Sequence, residues 1–108
     1  MNRFTLHVPE QYNDGAAVDP DYFRGFVEAE ILRNADGFTL THGIGAYRGD
    51  CTTYREPVRL YVIDTNESFP RWLSELSRKV AADLSQEAVY VTVATVSAHL
   101  FTPIPSPV

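Results

Sequence analysis

The chain has 108 residues, 44% of them hydrophobic and 21% charged, with a formal net charge of −5. That length fits one domain with a modest core, the composition excludes wholesale disorder, and the acidity argues against a nucleic-acid binder, which needs a basic face. A lone cysteine, Cys51, excludes an internal disulfide and makes a reducing cytoplasm the expected compartment. No apolar run approaches the ~20 residues that span a bilayer, and the first residues lack the apolar core of a secretory signal, so no membrane partner is expected.

Residues 3–8 (RFTLHV) alternate, with Phe4, Leu6 and Val8 opposite Arg3, Thr5 and His7. This predicts a short strand buried on one face and ended by Pro9. After a polar loop with the turn pair Asp14-Gly15, Asp19 and Pro20 form a helix start: the carboxylate caps open N–H groups, and proline suits the first turn. The helix is expected to run to about Asn34 and stop at Asp36-Gly37. Its stripe is Phe23, Phe26, Val27 and Ile31, and Glu30 falls inside it. An unpaired buried carboxylate is costly, so an edge position or an arginine partner is expected, with a ligand or subunit contact as the alternative.

Residues 37–42 (GFTLTH) predict the second strand and residues 57–64 (PVRLYVID) the third, with Val58, Leu60 and Val62 opposite Arg59, Tyr61 and Ile63. Pro57 lacks a ladder donor and should lie at the strand's start or on an edge. The two strands predict a hairpin with a long glycine-rich connection. Residues 68–85 predict the second helix, with Thr65, Asn66 and Ser68 as competing caps and Pro70 in the first turn. Phe69, Leu73, Leu76, Val80 and Leu84 face the core, Trp72 packs beside them, and Arg71, Glu75, Arg78 and Lys79 are solvated. Residues 86–101 hold the last strand, apolar on both faces, which predicts a central position covered on each side. The proline-rich tail, residues 102–108, should be extended outside the sheet, disordered or strapped onto a neighbour; residues 1–101 form the domain.

The order β-α-β-β-α-β predicts an α+β, ferredoxin-like sandwich: an antiparallel sheet with two helices on one face. Its other face is then left open, which predicts that a second subunit covers it.

Residues 39–59 (TLTHGIGAYRGDCTTYREPVR) concentrate the chemistry and hold half of the chain's 6 glycines. His7, His42 and His99 are isolated and lack metal-ligand spacing, so no metal is expected. The run GIGAYRG is neither a P-loop nor a dinucleotide fingerprint, and Cys51 has no activating base beside it. His42 borders the loop, as a ligand contact or as a satisfied polar group. Tyr47, Tyr54 and Glu56 remain. Proline restricts the residue before it, so Glu56 projects from an extended backbone, placed as a general base or an acceptor for a ligand ammonium. The tyrosines suit stacking on a base or facing a cation. The alternative is a hairpin with ordinary aromatic and ion-pair decoration.

The element order, the loop between strands two and three, and the strand EAVYVTV resemble PII-like proteins, which are trimeric ferredoxin-like domains that bind nucleotides in clefts between subunits. More narrowly, GIGAYR at 43–48, YREPVR at 54–59 and the helix leading into QEAVYV resemble phage-encoded S-adenosylmethionine (SAM) lyases, formerly called SAM hydrolases. The resemblance spans roughly residues 37–95 as scattered positions. It implies a PII-like homotrimer that cleaves SAM to 5'-methylthioadenosine and L-homoserine lactone with no metal or other cofactor, depriving host restriction-modification systems of their methyl donor. It also implies Glu56 as the essential glutamate before the third strand and Tyr47 as the aromatic residue against the substrate. Gly43, Gly45, Ala46, Tyr54 and His42 then form the substrate-binding surroundings. The alternatives are a non-catalytic PII-like module that binds an adenine nucleotide, and an oligomeric structural protein with no small ligand.

Overall fold

The computed structural model describes residues 1–105; the end of the expected proline-rich tail, including Pro107, lies outside the described residues. Four strands, β1 (Asn2–Pro9), β2 (Thr39–Arg48), β3 (Thr53–Thr65) and β4 (Val91–Thr95), pair antiparallel in the order β2-β3-β1-β4. Three consecutive helical pieces, Pro20–Tyr22, Phe23–Glu28 and Ala29–Asn34, run on as one helix, α1, and Arg71–Asp83 forms α2. This is the expected ferredoxin-like βαββαβ arrangement.

The core lies between the sheet and both helices. Phe4, Leu6 and Val8 of β1 and Tyr61 and Ile63 of β3 meet Phe23, Val27 and Ile31 of α1 and Leu73, Leu76 and Val80 of α2. Alternation along β3 therefore sends Arg59 to the helix side and Val58, Leu60 and Val62 to the face that no helix covers. Asp19 caps α1 as expected, its carboxylate accepting from Asp21 N–H at 2.9 Å. Phe23–Glu28 is π-helical, a local widening that the apolar spacing did not signal. Glu30 sits at the helix edge, paired with Arg33, which resolves its place in the stripe.

Four expectations are corrected. The connection between the second and third strands is no long loop: β2 and β3 stay paired from Thr39↔Val62 to Arg48↔Thr53, and the tip is closed by Gly49 N–H donating to the Thr52 carbonyl at 2.8 Å. The glycines Gly43 and Gly45 lie within β2, since an extended backbone asks nothing of a missing side chain. Pro57 is interior to β3, opposite Ile44. It is tolerated because its carbonyl accepts from Glu10 N–H, at 3.1 Å, just past the end of β1. In an antiparallel strand the nitrogen faces the same side as that carbonyl, so the missing donor falls where no strand needs it.

The second helix is capped by none of the three candidate side chains; Pro70 occupies the cap position. Thr65 Oγ1 instead accepts from Glu67 N–H at 3.3 Å, and proline bars Phe69 from helical backbone. Phe69 precedes the helix and sets its ring edge-on to Phe4, centroids 5.0 Å apart. The last strand, finally, is an edge strand of five residues rather than a central one, with Val93 54% exposed. Its apolar residues on both faces misled, because a β-branched run reads the same at an edge as in the middle.

α2 ends in a Schellman motif: Ser85 N–H donates to Ala82 and Gln86 N–H to Ala81, the latter at 2.8 Å. The motif puts Ser85 at φ 54°, a left-handed backbone that costs a side-chain-bearing residue about 1 kcal/mol. Ser85→Gly is therefore expected to stabilise the protein by about 0.5–1 kcal/mol, measured by urea denaturation. A loss of stability would mean that the serine hydroxyl contributes more than the strained backbone costs.

Candidate functional site

The hairpin alternates its side chains across the sheet, so Gly43, Gly45 and Tyr47 of β2 share the helix-free face with Tyr54, Glu56 and Val58 of β3. Gly45 lies directly opposite Glu56, and Tyr47 opposite Tyr54. The Tyr47 ring lies back over Gly45. A Cβ built on Gly45 would stand 2.6 Å from the Tyr47 hydroxyl and 2.8 Å from Cε2, closer than carbon atoms tolerate. Glycine at 45 thus makes room for the ring beside Glu56. Gly49 does the same for Tyr54, whose Cε2 would lie 2.3 Å from an added Cβ. Gly43 has no such need, since its added Cβ would meet Leu60 and Val58 at an ordinary 3.7 Å.

Tyr47 and Glu56 form one wall of a cleft of about 350 Å³ that is completed by His7 and Pro9 of β1, Val58 of β3 and Gln86, Ala88, Val89 and Tyr90. A second cleft, of about 580 Å³, adjoins it and is lined by Asn13, Tyr47, Tyr54, Glu56, Gln86, Glu87 and Ala88. Tyr47, Glu56, Gln86 and Ala88 border both, so the tyrosine–glutamate pair stands at the junction. The Schellman turn delivers Gln86 to this junction, where its amide donates to Asn13 Oδ1 at 3.0 Å and to the Leu84 carbonyl at 3.2 Å.

The expected site residues are thus divided by the sheet. Tyr47, Glu56, Tyr54 and Gly45 come together, and Gly43 lies on the same face beside Val58. His42 and Ala46 do not join them, because alternation turns both toward the helix side. There His42 Nδ1 meets Glu10 Oε1 at 2.7 Å, and Arg59 Nε donates to the same oxygen at 3.2 Å. Arg59 also reaches Glu28 Oε2 at 3.5 Å and lies 4.0 Å over the Phe23 ring. Tyr61 donates to that Glu28 oxygen at 2.9 Å; burial foremost pushes the Tyr61 hydroxyl pKa up, keeping it a donor at neutral pH. This cluster holds the base of the hairpin from behind: Glu10 grips Pro57 through its backbone and Arg59 through its side chain.

His7, Val58 and residues 86–90 are the site residues that the sequence did not flag. His7 sat on the polar face of the first strand, which was the available signal, but its approach to Glu56 depends on pairing between β1 and β3. Its ring meets Tyr90 edge-on, centroids 5.2 Å apart. Burial holds the His7 imidazole below its ordinary pKa of 6.5, so the cleft carries no extra positive charge at neutral pH.

As pH falls from about 6.5, the unfolded chain takes up this proton before the folded one. The neutral histidine therefore contributes stability that is complete above that value and drains away below it. Asp64, held low by its hydrogen bond to Arg3, and Asp83, held low by Lys79, respond in a separate window below 3.8. Between about pH 7 and pH 5.5 the thermal midpoint of the wild type is expected to fall more than that of His7→Gln. Equal falls in a parallel thermal melt would remove His7 from the acid response.

Among the described residues, no group of three or more His, Cys, Asp or Glu side chains is placed to hold a metal ion, and no helix is long and apolar enough to cross a membrane. Cys51 is free and exposed at the hairpin tip.

No family model matches this chain, and no curated protein matches it. Two solved structures do. One is a phage SAM lyase in complex with S-methyl-5'-thioadenosine, with a TM-score of 0.65 and 15% sequence identity over 86% of this chain and 79% of that one. The other is a phage SAM lyase in its apo state, with a TM-score of 0.64 and 15% identity over 94% of this chain and 92% of that one. The chain has the fold seen in these phage SAM lyases.

Proposed function

We propose that the protein is a SAM lyase that converts SAM to 5'-methylthioadenosine and L-homoserine lactone at the Tyr47–Glu56 junction. One observation carries the reading: on a fold shared with SAM lyases, an aromatic ring and a carboxylate stand side by side in a cleft of small-ligand size. The resemblance in sequence pointed to the same two residues.

The chemistry asks little of the protein. A carboxylate oxygen of the substrate attacks its own γ-carbon, the carbon–sulfur bond breaks, and the sulfur keeps the electron pair as a neutral thioether. Atoms and charge balance without an added nucleophile, proton or metal. The sulfonium's positive charge disappears as the bond breaks, so a contact to sulfur weakens along the reaction path. The substrate's ammonium keeps its charge throughout. Glu56 is therefore best used on the ammonium, folding the amino-acid chain so that carboxylate and γ-carbon meet. The Tyr47 ring receives the sulfonium at an attraction of about 0.5–2 kcal/mol. A cleft that sheds water favours a step in which two opposite charges annihilate.

In this reading the protein works as a homotrimer whose neighbouring subunit completes each cleft, and the activity starves host restriction-modification of its methyl donor in the host cytoplasm. Incubating the purified protein with SAM and following both products by mass spectrometry tests the reaction, and native mass spectrometry of the same sample gives the subunit count. Saturable binding of SAM or ATP without product would instead establish the non-catalytic nucleotide-binding module.

A further inference from the structure

Beyond β4, residues 96–105 (VSAHLFTPIP) run on without strand or helix. The last backbone hydrogen bond tying them to the sheet, among the described residues, is Val96 N–H to the Met1 carbonyl at 2.9 Å. Past it, Leu100, Phe101 and Ile104 are 94%, 88% and 91% exposed. Three large apolar side chains so fully in water on one short segment form a sticky element, unlike scattered surface apolar residues. The segment carries no charge apart from any on His99, in a chain whose net charge is −5. The molecule has a surface of matching character. Thr41, Leu60, Val62, Thr5 and Thr92 lie on the helix-free face, uncharged and without cover, bounded at one end by the Arg3–Asp64 ion pair.

Geometry decides which molecule the segment covers. The stretch joining β4 to Leu100, Val96-Ser97-Ala98-His99, holds Ser97 as its one turn-forming residue, and the exposure of Leu100, Phe101 and Ile104 shows that it does not fold back onto its own sheet. Pro103 and Pro105 then stiffen the far end of the segment. It therefore leads away from its own sheet. Its nine residues after Val96 reach about 30 Å when extended, against roughly 15–20 Å for the width of four strands, so it can cross an entire sheet face. We propose that residues 97–105 are an exchange strap that lies on the helix-free sheet face of a second copy, burying Leu100, Phe101 and Ile104 there. A strap given by one copy and received by the next is a head-to-tail contact, which is saturated when the copies close into a ring. The inference rests on no assumption about SAM.

Two measurements test it on the full chain. The variant Leu100→Ser/Phe101→Ser/Ile104→Ser alters only exposed side chains, so its fold should persist by circular dichroism. In sedimentation over a concentration series it should lose the assembly, with subunit affinity falling roughly tenfold or more; an unchanged mass distribution overturns the proposal. In a Cys51→Ser background, a chain carrying Phe101→Cys is mixed with a mass-labelled chain carrying Thr41→Cys and mildly oxidised. A disulfide between the two different chains is the expected product, and its absence overturns the strap. So does a single chain carrying both substitutions that closes on itself at monomer mass.

Discussion

Replacing Glu56 by glutamine is expected to cut methylthioadenosine formation by about 100-fold or more while leaving the fold in place. Glutamine keeps the size of the side chain and its place opposite Gly45, but it loses the charge proposed above to hold the substrate's ammonium. Without that hold the amino-acid chain samples extended conformers in which its carboxylate and γ-carbon are apart. The loss should appear chiefly in kcat, with a smaller rise in KM, since the adenine end of the substrate still binds. Steady-state kinetics with product detection reads both. Undiminished kcat would remove Glu56 from the chemistry even if the protein proved to be a lyase. A matched fall in melting temperature would point to a structural role instead.

Gly45→Ala should separate the site from the fold in a different way. The new methyl group would collide with the far end of the Tyr47 side chain, at 2.6–2.9 Å, and that ring is free to swing outward. The fold should therefore lose no more than about 1 kcal/mol, and alanine's better strand behaviour offsets part of that. Binding of a sulfonium ligand should weaken by roughly 2- to 30-fold, the worth of a cation–π contact. Gly43→Ala is the control: its added methyl has 3.7 Å of clearance, so affinity and melting temperature should stay near wild type. Calorimetric titration of a non-cleavable sulfonium analogue of SAM into the three proteins checks the set. Equal weakening in both variants would mean that strand geometry, rather than the ring, is what the ligand needs.

These expectations draw on parts of the protein that were unequally legible in the sequence. The stripes Phe23–Val27–Ile31 and Leu73–Leu76–Val80 were plain, because each helix buries one face and leaves a periodic trace. The order of elements followed, and with it the sheet. Glu56 and Tyr47 were legible because proline and glycine mark unusual backbone, and their neighbourhood was rich in reactive side chains. The extent of β2 and β3 was hidden for the same reason: glycine and proline look like breakers, although here Gly45 serves the ring above it and Pro57 turns its missing donor to the side where β1 has already ended. The π-helical turn at Phe23–Glu28 left no trace in the apolar spacing. The far wall of the cleft, from His7 to Gln86, was beyond reach, since it depends on register between strands about fifty residues apart and on a helix cap built without glycine.

The unequal lengths of β1 and the hairpin have a consequence for motion. From Thr39 to Gly43 and from Val58 to Thr65 the strands belong to a sheet backed by helices; between Gly43 and Val58, past the end of β1 at Pro9, the hairpin continues as two strands alone. A lone pair of strands is marginal in water, so its amides should exchange with deuterium far sooner than those of Phe4 or Ile63, through openings that never unfold the core. Tyr47, Tyr54 and Glu56 ride on that looser end, while His7, Pro9 and Val58 belong to the firm one. The cleft thus has one wall that yields and one that does not, and a bound ligand would slow exchange along residues 44–56 more than anywhere else in the chain.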